Sequence, residues 1–184
     1  MRVNDVVRRP DVYSRDETAE RLLLEAMAAV DDSLPRWEAE LDRLRDQGAM
    51  APTGVQGAYS YALPADMLRY ATATVYAEVA HRCGWLQLDR VLSAAEYQHL
   101  AAVAGEWMAE DRTLSEVIET FGPPSMWTLW TPTYATADPE DSLITFHPEN
   151  TRPNPKVLAV RHRPATYTFT PEGLRRHPTR SLRA

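Results

Sequence analysis

The sequence predicts an α+β fold: four to five N-terminal helices packed on a small C-terminal antiparallel sheet. Hydrophobic residues recur at helical spacing through the first two thirds, and alternating or β-branched segments crowd the last third. At 184 residues the chain is long enough for one domain with a real core and too short for two ordinary ones. The expectation is a single domain over 1–184, helical over about 14–122 and strand-rich over about 125–170, with a frayed tail over about 178–184.

The helices come with clear punctuation. Ser14-Arg15-Asp16-Glu17 reads as a capping box opening a helix over roughly 15–31, with Leu23, Met27 and Val30 on one face. A second helix begins near Leu34-Pro35, where proline is tolerated, aligns Trp37, Leu41 and Leu44, and stops at Gly48. Residues 48–63 hold Gly48, Pro52, Gly54, Gly57 and Tyr59-Ser60-Tyr61, and read as a loop. A third helix from about Pro64 places Leu68, Ala71, Val75 and Val79 on one stripe and ends at Gly84. Ser93 and Glu96 form a second box, followed by a stripe of Tyr97, Leu100, Ala101, Ala104, Trp107 and Met108. Thr113 and Glu116 form a third, opening a short helix that Gly122-Pro123-Pro124 stops.

Then the period changes. Residues 126–131, 142–146 and 156–161 have the content of strands, Tyr167-Thr168-Phe169 is a fourth, and Thr170-Pro171-Glu172 caps a last helical turn. So small a sheet cannot bury both faces alone, and the helices are expected to cover one of them.

Composition narrows the function. A single cysteine excludes an intrachain disulfide framework and any multi-Cys zinc site. There is no run of about 18 apolar residues, so no helix spans a membrane. Met1 to Asp5 lacks the apolar core of a signal peptide, which predicts a cytoplasmic protein. All basic residues but Lys156 are arginine, the codon bias of a GC-rich, bacterial genome. The net charge of −6 is uneven: residues 1–150 carry 12 basic and 25 acidic side chains, or −13, and residues 151–184 carry 8 and 1, or +7.

No catalytic motif stands out. Gly54-Val55-Gln56-Gly57 lacks the lysine of a P-loop and follows a helix, not the strand a dinucleotide fingerprint needs. Cys83 continues the apolar stripe of the third helix and reads as structural.

Two patterns remain. Glu78 with His81, and Glu96 with His99, are Glu-x-x-His pairs that an antiparallel arrangement of the third and fourth helices brings to one height, the spacing of carboxylate-bridged dimetal sites. They predict, as the alternative reading, a metal-binding protein or metal-dependent enzyme holding iron, manganese or zinc. Against it, each pair lies beside its stripe, and Glu96 already serves a capping box. The second pattern is Trp127, Trp130 and Tyr134, followed by the basic segment with Arg161 and Arg163 on one strand face. On a regular strand Trp127 and Trp130 face opposite sides, one toward the helices and one outward.

An acidic body disfavours nucleic acid and is the closer partner for the basic segment. The preferred expectation is a non-enzymatic protein-interaction factor of accessory, regulatory or immunity type. It would bind a protein partner or itself as a homo-oligomer through Trp130, Tyr134, Arg161 and Arg163.

Overall fold

The structure, a computed structural model, describes residues 16–60, 63–149, 153–163 and 166–176. Ser14, Arg15 and the expected frayed tail lie outside the described residues. The helices are α1 (Glu17–Val30), α2 (Leu34–Asp46), α3 (Val55–Tyr59), α4 (Ala65–Arg82), α5 (Ala94–Trp107), α6 (Leu114–Phe121) and α7 (Pro171–Arg176). The strands are β1 (Arg112–Thr113), β2 (Met126–Thr128), β3 (Thr131–Tyr134), β4 (Ile144–Pro148), β5 (Lys156–Arg163) and β6 (Thr166–Phe169). This is the predicted α+β class. The short α3 and β1 were not foreseen.

Local chemistry sets the boundaries. Asp16 caps α1, its carboxylate accepting from the Thr18 and Ala19 amides. Of the three capping boxes read from the sequence, Ser93 with Glu96 and Thr113 with Glu116 are formed, whereas the expected first one is replaced: Asp16 is the cap, and Glu17 is the first helical residue, bonded elsewhere. Gly48, Gly84 and Gly122 end α2, α4 and α6 with positive φ.

The sheet is antiparallel in the order β1-β5-β4-β3-β2, with β6 pairing β5 beyond β1. Two cores flank it, so helices cover both faces and not the expected one. On one face α1, α2, α3 and α4 enclose Leu24, Trp37, Val79, Ala159 and Phe169. On the other, α5 and α6 cover Tyr134, Ile144, Phe146, Val157 and Val160. The physical reason is visible in β5, which is buried from Val157 through Arg161 with no polar-out alternation.

Two stripes also differ from the expectation. The buried face of α1 is Glu20, Leu24, Met27 and Ala28, and Val30 is 66% exposed. Hydropathy favoured Leu23 and Val30, but the face that meets the body carries a glutamate. In α4 every residue from Tyr70 to Arg82 is buried, so it is a central helix with no solvent face.

Candidate functional site

The expected strand over 126–131 is a hairpin. Thr128 pairs with Thr131 across a two-residue turn, Leu129-Trp130, and Leu129 takes a φ of 56°. A bulky side chain rarely adopts that conformation, so surrounding contacts must hold it there. Leu129 packs against the helical core, which supplies that hold. Pairing of β3 with β4 begins only at Thr133, after Pro132, which has no N–H to give a ladder, although all of β3 is buried.

One side of this tip is anchored and the other is presented. Thr128 and Thr131 are fully buried, whereas Trp127 is 40% and Trp130 52% exposed. One inward and one outward tryptophan had been expected; the turn leaves both outside. β2 is also the last strand of the sheet. Backbone bonds from Asp89 and Arg90 reach Ser125, one residue before β2.

The other residues expected at a partner surface separate. Tyr134 is fully buried in an aromatic cluster with Phe121 and Phe146, its hydroxyl donating to the Gly122 carbonyl, so it is unavailable to a partner. Arg161 is likewise withdrawn. One ladder row across the sheet reads Met126, Thr133, Thr145, Arg161 and Tyr167, on the face beneath α4. There Arg161 donates to Glu78 at 2.9 Å and to the Thr74 carbonyl at 3.1 Å. Arg163 is exposed, and a register shift between Arg161 and Arg163 interrupts the expected alternation.

Around Arg161 lies a buried polar seam. His147 bonds Thr145 through Nε2 at 3.1 Å and packs its ring 5.3 Å from that of Tyr167. Burial, and secondarily the charge of Arg161, pushes His147 down to about 3, so it is neutral near pH 7. Nothing in the sequence around His147 or Arg161 marked either as interior.

The Glu-x-x-His residues are not brought together. Glu78 is committed to Arg161, and His81 is buried at the end of α4 with its ionisation disfavoured by burial. Glu96 is exposed, bonded to Ser93 and Arg90, and His99 is exposed on α5. Among the described residues no three His, Cys, Asp or Glu side chains group where they would hold a metal ion. Capping chemistry and ion pairing, not metal spacing, account for both glutamates.

The basic segment docks on the body. Besides Arg161, Arg175 pairs with Asp111 and Arg176 with Glu149, while Lys156, Arg175 and Arg176 also pair with Glu172 of the segment itself. No helix among the described residues is long and apolar enough to cross a membrane. No family model, curated protein or solved structure matches the chain.

Proposed function

We propose that this chain is a protein-interaction factor of the bacterial cytoplasm, of accessory, regulatory or immunity type, and that the β2–β3 hairpin is its binding element. The observation that carries this reading is the joint exposure of Trp127 and Trp130 on a hairpin whose other side is anchored. Tryptophan is the residue type most enriched at interaction hot spots, with a large apolar body and one donor. Covering the exposed part of each ring, roughly 100 Å², is worth about 2–3 kcal/mol.

The occupant we assign is a basic protein. Residues 1–150 carry −13, and four basic residues of the C-terminal segment are already paired with acids of the same chain. Opposite charge in the partner would speed encounter, and the tryptophans would hold the complex.

The chain is used as bait in an extract of its source, and the captured protein is purified and titrated against it by calorimetry. The reading predicts a basic partner bound at 1:1, with affinity falling about 100-fold or more in the Trp127→Ala/Trp130→Ala variant. Because both rings are substantially exposed, the variant should unfold within about 1 kcal/mol of the parent. Equal binding by parent and variant, or a partner of acidic charge, contradicts it. A concentration-dependent dimer lost in the variant would move the reading to self-association.

A further inference from the structure

The inner face of α1 changes character along its length. Its C-terminal half buries Leu24, Met27 and Ala28, but its N-terminal half turns Glu17 and Glu20 toward α3 and α4. Glu17 is well served: its carboxylate accepts from the Val55 amide at 2.6 Å, the Gln56 amide at 3.0 Å and the Tyr76 hydroxyl at 2.8 Å. It thereby ties α1 to the start of α3 and to α4.

Glu20 is served by nothing. It is 2% exposed and neither carboxylate oxygen has a hydrogen-bond partner. An ionised carboxylate in that position bears a desolvation cost with no compensation, so the neutral acid is the form that fits. The groups around it do not supply a counter-charge. Glu17 on its own helix is of like sign, and Tyr76 on α4 is bonded to Glu17. On α2 the inward groups Glu40 and Arg43 are tied to each other and to Arg82. Arg21, the next residue on α1, lines the cavity of about 490 Å³ beside Glu17, Thr53 and Gly54.

We propose that α1 is a proton-dependent latch: with Glu20 neutral it lies against α4 and holds the Gly54–Gln56 turn through Glu17, and ionisation of Glu20 loosens both. Burial, and then the charge of Glu17, raises the Glu20 carboxyl to about 8. The direction follows from linkage. The folded acid keeps its proton to higher pH than the exposed one, so the latch is tightest below about 4.5, weakens progressively as pH rises from there, and has lost the contribution by about 8.

Hydrogen exchange of the full chain between pH 6.5 and 9.5, corrected for the intrinsic rate, tests this. Amides of 17–30 and 55–59 should lose at least tenfold of their protection between pH 6.5 and 8 and little more above it, while those of β4 and β5 keep theirs. Glu20→Gln, close in shape and unable to ionise, should abolish the loss. A flat profile in the parent, or the same loss in Glu20→Gln, overturns the proposal. Should the variant fold poorly, the side-chain carboxyl carbon of Glu20 in the parent decides by NMR. A midpoint near 8 supports the latch, and one below 6 ends it.

Discussion

Arg161 on β5 and Glu78 on α4 form an ion pair at 2.9 Å in which each side chain is about 1% exposed. It joins the middle of the sheet to the central helix, and it is the innermost of the contacts between the basic C-terminal segment and the acidic helical part. A buried pair is weak evidence for net stability, because desolvating two charges offsets much of their attraction. Its effect is felt when one partner is removed.

Arg161→Met or Glu78→Gln alone should therefore destabilise the fold by about 3–5 kcal/mol: the first leaves the buried Glu78 with Arg43 alone, 3.9 Å away, and the second leaves Arg161 with no carboxylate. Combining them should lose markedly less than the sum. Urea unfolding of the four proteins in a double-mutant cycle measures this, and simple additivity would deny the coupling.

His147 makes a prediction about acid. The unfolded histidine takes up a proton near 6.5, whereas the folded one stays neutral down to about 3. Its contribution is complete above pH 6.5 and is lost as pH falls from there toward 3, by about 1.4 kcal/mol per unit. Glu20 acts in the opposite sense between about 4.5 and 8, so the parent alone shows a blunted profile. The difference between the parent and His147→Gln isolates the slope; parallel profiles from pH 6.5 to 5 would count against a buried neutral imidazole.

Gly54 lies at φ 95° and ψ −170°, a region that is essentially glycine's alone. A Cβ there would also stand 2.3 Å from Glu17 Oε1, displacing the carboxylate that holds the turn. Gly54→Ala should destabilise by about 2 kcal/mol or more, read from thermal or urea unfolding. Glu17→Ala is itself destabilising, because it removes three hydrogen bonds, but in that background the clash is gone and the strain is not, so Gly54→Ala should cost less there than in the parent and still more than zero.

Much of the fold was legible because it is written in local chemistry. Ser93 with Glu96, Thr113 with Glu116, and the glycines at 48, 84 and 122 mark element ends by physics that involves few residues. What was not legible depends on tertiary contact. Leu129-Trp130 lacks the Asn or Gly of a tight hairpin and turns because Leu129 is held by the core. The first helix buries Glu20, Leu24, Met27 and Ala28 where hydropathy placed Leu23, Met27 and Val30, and Arg161 is interior only because Glu78 awaits it on α4. Of the residues read as a partner surface, Trp130 and Arg163 are exposed, while Tyr134 and Arg161 belong to the cores.

The most direct test of the interaction reading is the hydrogen-exchange footprint of the chain with its captured basic partner bound. The reading predicts added protection centred on residues 126–132, with Trp127 and Trp130 fluorescence shifted to the blue. Protection elsewhere, with the hairpin exchanging as it does in the free chain, would contradict it.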